Sequence, residues 1–157
     1  LPVSWDTSQV YLIGLGDGGR GVAEVLSHDD LPDIQGVLVD SSPDRLGPYL
    51  EGDGWTDEQI GLQRIFGDEG LERIDDWSLH ALQETNELPD RVGFLWSDGD
   101  PRVPYESMQV TADALAQDSA YWVENTRSTQ HIHLGSDLAL AQDAVEYLLN
   151  GTMPTEE

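Results

Sequence analysis

One run near the N-terminus limits what this chain can fold into more than any other: Val10-Tyr-Leu-Ile-Gly-Leu-Gly-Asp-Gly-Gly-Arg-Gly-Val-Ala-Glu-Val-Leu26. Val10 to Ile13 is a short apolar stretch, the pattern of a buried strand. It enters Gly14-Leu15-Gly16-Asp17-Gly18-Gly19, a G-x-G-x-x-G turn. Val22, Val25 and Leu26 then share one face of a helix, predicted over 18–28. A second apolar strand, 36–40, ends on Asp40. Strand, glycine turn, helix and strand with a terminal acid is the layout of a nucleotide-binding βαβ unit. In that reading Gly14, Gly16, Asp17, Gly18, Gly19 and Arg20 surround a phosphate at the helix N-terminus, where free N–H groups and the positive dipole end favour an anion. The other reading is structural: the glycines simply let helix and strand pack closely.

The alternation continues. A loop rich in Gly, Pro and Asp covers 41–55, a helical segment is expected over 57–66, and a helix over 69–85 carries Leu71, Ile74, Ala81 and Leu82 near one face. A strand at 91–96, a polar turn at 97–101, a helix at 105–117 and a strand at 120–124 follow. After a polar loop, 125–135, a last helix starts at Ser136 as N-cap, with Leu138, Ala141, Val145 and Leu148 as its stripe and Asn150-Gly151 as its stop. Apolar strands between amphipathic helices imply a three-layer α/β sandwich, Rossmann-like, with a mostly parallel sheet of at least four strands. The whole chain, 1–157, reads as one domain with an N-terminal arm at 1–8 and a tail at 152–157.

Composition narrows function. There are 31 Asp and Glu against 7 basic residues, a net charge of −24 on 157 residues. All the basic residues are arginine, and the acids are spread along the chain. This pattern resembles proteins of salt-loving archaea, whose acidic surfaces stay hydrated in concentrated salt. It offers no basic stripe for nucleic acid and nothing for an anionic membrane. With no cysteine, disulfides and thiolate chemistry are excluded; with no lysine, so are a P-loop lysine and Schiff-base chemistry. No apolar run reaches the length of a membrane span and no signal peptide is visible, so a cytoplasmic protein is expected.

In parallel sheets, ligands bind beyond the carboxyl ends of the strands. Asp40 and Ser41 are placed there to bond ribose hydroxyls, or to cap the turn ahead of Pro43. Ser97, Asp98, Gly99 and Asp100 are placed to contact phosphate, ribose or Mg²⁺, or to form a tight acidic turn. His131 and His133, at i and i+2, would point the same way from an extended segment, as metal ligands do; without a third ligand nearby they read as loop histidines. Trp96 and Trp122 sit on strands as core residues, while Trp5, Trp55 and Trp77 are scattered.

Two families are resembled by these residues. Ile13-Gly-Leu-Gly-Asp-Gly-Gly19 looks like the first phosphate loop of the FtsZ/tubulin superfamily, and Val39-Asp-Ser-Ser-Pro-Asp-Arg-Leu46 looks like its second-strand exit. Its glycine- and threonine-rich loop is replaced here by Ser97-Asp-Gly-Asp-Pro-Arg-Val-Pro-Tyr105. This resemblance implies a degenerate, non-catalytic nucleotide-binding module, with GTP or GDP as first ligand and NAD as second, acting by binding or by assembly with itself or a larger protein. The second resemblance is to the C-terminal half of an α/β-hydrolase. Gly14-Leu-Gly-Asp-Gly-Gly19 looks like a nucleophile elbow with Gly16 where serine belongs. Asp100-Pro-Arg-Val-Pro104 resembles the stretch bearing the catalytic acid, and His131 or His133 stands where the histidine would be. This alternative implies a catalytically defective hydrolase-like domain; a purely structural interaction domain is the remaining one. The nucleotide-binding module is the leading expectation.

Overall fold

The computed structural model describes residues 8–28, 30, 32–44, 64, 78–85 and 87–154. Among them the elements are β1 (Val10–Leu15), α1 (Gly18–Leu26), β2 (Ile34–Asp40), α2 (Leu79–Thr85), β3 (Val92–Trp96), α3 (Tyr105–Leu115), β4 (Trp122–Asn125) and α4 (Leu138–Asn150). The expected alternation and its boundaries hold to within a few residues. β1 is not the buried strand expected: among the described residues it lies at the end of the sheet, and Ile13 and Leu15 are exposed. All but Arg64 of the helix expected at 57–66, all but the end of the one at 69–85, and Trp5, Trp55 and Trp77 lie outside the described residues.

The strands form one sheet of four, in the order β1-β2-β3-β4. Every neighbouring pair is parallel. Leu15 pairs with Asp40, Asp40 with Leu95, and Trp96 with Asn125. The strands therefore end nearly level, and the loops after all four meet at one edge.

The central strands are apolar where both of their faces are covered, at Val37–Val39 of β2 and along β3. Val37, Val39 and Phe94 pack with Val22 of α1, Leu79 of α2 and Met108, Ala112 and Leu115 of α3. Leu38 and Leu95, pointing the other way by the two-residue strand period, pack with Trp122 and with Ala144, Tyr147 and Leu148 of α4. These are the two interfaces of a three-layer α/β sandwich, as expected. Trp122 is buried. Its ring meets Tyr147 edge-on at 5.7 Å. The Tyr147 hydroxyl lies 3.0 Å from the Val92 carbonyl and 2.8 Å from that of Ala120, so its buried oxygen is satisfied. Trp96 is half-buried at the sheet edge, its ring 5.6 Å from that of Tyr105.

α4 begins one residue later than the sequence suggested. Asp137, not Ser136, is the N-cap: its extended backbone lets one carboxylate oxygen accept the N–H groups of Ala139 at 3.0 Å and Leu140 at 3.1 Å. The Ser136 hydroxyl instead donates to the His133 carbonyl at 3.0 Å. Gly151, with φ +71°, ends the helix in the left-handed conformation.

Candidate active site

The turn from β1 into α1 is sharp, and its glycines have separate reasons. A Cβ on Gly14 would lie 2.6 Å from the Gly19 backbone, and one on Gly19 would lie 2.5 Å from the side chains of Ser42 and Val39. Both positions are closed to any side chain because helix and strand touch there. Gly16 differs. Its φ is +55°, and a Cβ there would point at the Nε2 of His131, 3.0 Å away. Its N–H is held by the Asp40 carbonyl at 2.8 Å.

His131 comes from the loop after β4. Its Nδ1 lies 2.9 Å from Oδ2 of Asp100, whose side chain is fully buried. Asp100 sits at the end of the polar turn after β3. Its other oxygen accepts the N–H groups of Arg102 at 2.7 Å and Val103 at 3.0 Å. Burial alone would raise the Asp100 pKa. The bonds from Val103, His131 and Arg102 outweigh burial and hold it below the ordinary carboxylate range. An ionised Asp100 accepts a proton-bearing Nδ1, so the neutral imidazole turns its Nε2 lone pair toward Gly16. Among the described residues, that Nε2 has no hydrogen-bond partner.

Ser97 is buried and builds the turn: its hydroxyl donates to the Ser128 carbonyl and accepts the Gly99 N–H at 3.1 Å. Gly99 faces Ser128 closely, since a Cβ on it would lie 2.7 Å from that carbonyl. Asp98 is exposed at the tip. Ser97 and Gly99 thus join the acid-bearing turn to the histidine loop, while Asp98 does not.

A second Asp–His pair lies beneath the first. Asp40 and Ser41 are fully buried and His133 nearly so. Asp40 Oδ1 is 2.7 Å from His133 Nδ1 and 3.0 Å from the Ser41 hydroxyl. Asp40 Oδ2 accepts the N–H groups of His133 at 2.6 Å and Leu134 at 2.9 Å. Both carboxylate oxygens are engaged inside the protein. The histidines go to different carboxylates because Ile132 between them turns left-handed, with φ +67°. The two rings therefore do not converge, and among the described residues no group of three metal-ligating side chains forms.

Asp17 caps α1 by position but makes no side-chain cap bond. Gly18 has open space around it. Arg20 is buried and donates to the Asp44 carbonyl at 3.3 Å. As an acid–histidine pair, Asp100 and His131 came only from the second sequence resemblance, which left His131 and His133 open; Gly16 faces His131.

A strand–turn–helix elbow, an acid after the third strand and a histidine after the fourth, all at one sheet edge, define an α/β-hydrolase-like domain. The chain belongs to the family of TAP-like proteins, whose model matches residues 74–157. A puromycin-hydrolyzing peptidase from Mycobacterium tuberculosis is similar in structure, at TM-score 0.65 and 19% identity over 97% of this chain and 24% of that one. An esterase from Pyrococcus furiosus matches at TM-score 0.58 and 15% identity, over 94% of this chain and 55% of its own. A sugar hydrolase from Lactococcus lactis matches at TM-score 0.58 and 14% identity, over 92% and 59%. The chain thus spans between a quarter and three-fifths of the length of these proteins. No curated protein matches it. These findings overturn the FtsZ/tubulin assignment and the GTP-binding character drawn from it. A glycine turn after a first strand serves both folds, and its two crowded glycines are explained by packing alone. Among the described residues, no helix is long and apolar enough to cross a membrane.

Proposed function

We propose that this chain is a hydrolase-fold module that holds acyl compounds, esters or amides, without forming a covalent acyl intermediate. One observation carries the reading: a glycine occupies the elbow position that faces His131, with its Cβ direction 3.0 Å from Nε2. In a serine hydrolase that nitrogen takes the proton of the attacking hydroxyl, and the buried acid holds the imidazole in the required tautomer. Asp100 and His131 supply the acid–base half. Gly16 supplies no oxygen to attack with. The ester and amide class is suggested by the peptidase and esterase among the similar structures. The N–H of Asp17, the residue after the elbow position, is the donor such a site offers to a ligand carbonyl.

The test is to restore the missing atom. Wild-type protein should resist labelling by a fluorophosphonate and should bind a p-nitrophenyl ester without releasing p-nitrophenol. Gly16→Ser should gain labelling and ester turnover. Adding His131→Ala or Asp100→Asn should cut that turnover by a factor of about 10³ to 10⁴. Labelling of the wild type, or a folded Gly16→Ser protein that stays unlabelled, would overturn the reading. Absence of any ester binding by calorimetry would remove its ligand.

A further inference from the structure

We propose that Asp40 is a positioning residue that holds the elbow and the histidine loop in one frame, so that His131 faces Gly16. This rests on reading Asp100 and His131 as the acid–base half of a hydrolase site. Asp40 joins both sides of that site. Through its carbonyl it accepts the Gly16 N–H at 2.8 Å. Through its carboxylate it takes the N–H groups of His133 at 2.6 Å and Leu134 at 2.9 Å, and the His133 ring at 2.7 Å. Ser41 extends the clamp: its hydroxyl donates to Asp40 and accepts the Ile132 N–H at 3.3 Å. Ser41 is itself fixed by its own N–H donating to the Leu95 carbonyl of β3 at 2.9 Å. Three consecutive amides, Ile132 to Leu134, thus end on two residues at the tip of β2.

The backbone shows what the clamp resists. Ser41 has φ +57° and Ile132 φ +67°. The left-handed region is unfavourable for a β-branched residue and persists only where surrounding bonds over-determine it. Relaxation of Ile132 would swing the neighbouring His131 away from Asp100 and Gly16. His133 carries a second mark. Its Nε2 is buried without a hydrogen-bond partner among the described residues. The ring's hydrogen bonding is thus made through Nδ1, on the Asp40 side. Asp40 and Ser41 are fully buried, so they act through His131 and not on a ligand.

Imidazole NMR tests this without turnover. In wild-type protein the Nδ1–H protons of His131 and His133 should both be hydrogen-bonded and slow to exchange. Asp40→Asn sets an amide NH2 against two N–H donors. Ser41→Ala removes the Ile132 acceptor and the hydroxyl's bond to Asp40 but keeps the carboxylate, and serves if the first variant does not fold. In either folded variant the His131 Nδ1–H should exchange faster by roughly tenfold or more, or vanish, while His28 signals stay in place. A variant that moves His133 signals and leaves the His131 proton unchanged would overturn the proposal. In the Gly16→Ser background, Ser41→Ala should lower kcat roughly 10- to 100-fold with little change in KM. An effect on KM alone would equally count against it. If Gly16→Ser is itself inactive, the hydrolase reading fails, and the His131 proton still decides whether Asp40 holds the loop.

Discussion

At the scale of residues, the glycine turn separates into crowded and open positions, and substitution tells them apart. Gly14→Ala and Gly19→Ala would force contacts of 2.6 and 2.5 Å. Each should lower stability by about 1–3 kcal/mol, seen as a fall in the urea midpoint. Gly18→Ala meets nothing within 4 Å and lies in the first turn of a helix, so it should be neutral or slightly stabilising. Gly16→Ser should fold with a penalty of about 1–3 kcal/mol for its left-handed backbone, alongside its gain of chemistry. Asp40 makes stability depend on pH. Burial works to raise its pKa, but the His133 side chain, the Leu134 N–H and Ser41 together lower it below the ordinary 3.8. Its folded value lies below its unfolded one. The stabilisation is therefore complete above about pH 4 and is lost as pH falls through the folded value. Unfolding free energies of wild-type and Asp40→Asn proteins should differ at neutral pH and converge below about pH 4. The sequence showed Asp100 and the two histidines as strand-end residues of the right types. It could not choose between His131 and His133, because the choice depends on the left-handed turn at Ile132, which no local propensity favours.

At the scale of elements, the helices and strands were legible because each is written in a strong local period. β3 is a continuous apolar run, β2 has one at Val37–Val39, and α4 has a clear stop at Asn150-Gly151. The stripe read for α4 was off by a rotation: Leu138 and Val145 are exposed, and the face that packs is Leu140, Ala144, Tyr147 and Leu148, because the sheet takes the side carrying the Tyr147 ring. The cap of α4 was misplaced by one residue. Ser136 and Asp137 are both good caps; the His133 carbonyl captures the Ser136 hydroxyl and leaves Asp137 to bond the first turn. Asp137→Ala should lower stability by about 1 kcal/mol, and Ser136→Ala should leave α4 capped. Denaturant titration of the two variants gives the comparison directly.

At the scale of the whole molecule, charge governs when the fold forms. A net charge of −24 on 157 residues opposes compaction in dilute buffer. In molar salt the Debye length falls to about 3 Å and the repulsion fades. The melting temperature should therefore rise steeply as KCl increases from millimolar to molar levels. A melting temperature independent of salt would show that the acidic surface is not an adaptation to salt.

Hydrophobic period and glycine placement, both local, determined from the sequence alone that this chain builds a parallel α/β sandwich with its loops gathered at one sheet edge. The sequence also set the order in which elbow, acid and histidine arrive. It did not decide between a phosphate loop and a nucleophile elbow, since both need a sharp glycine turn between strand and helix. Tertiary structure decided that by bringing His131, distant in sequence, opposite the one turn glycine whose Cβ direction points at an imidazole. It also gave Asp40 its partners, because the atoms it bonds on the histidine loop lie more than ninety residues along the chain. Such pairings depend on strand register and loop strain, which only the folded chain fixes.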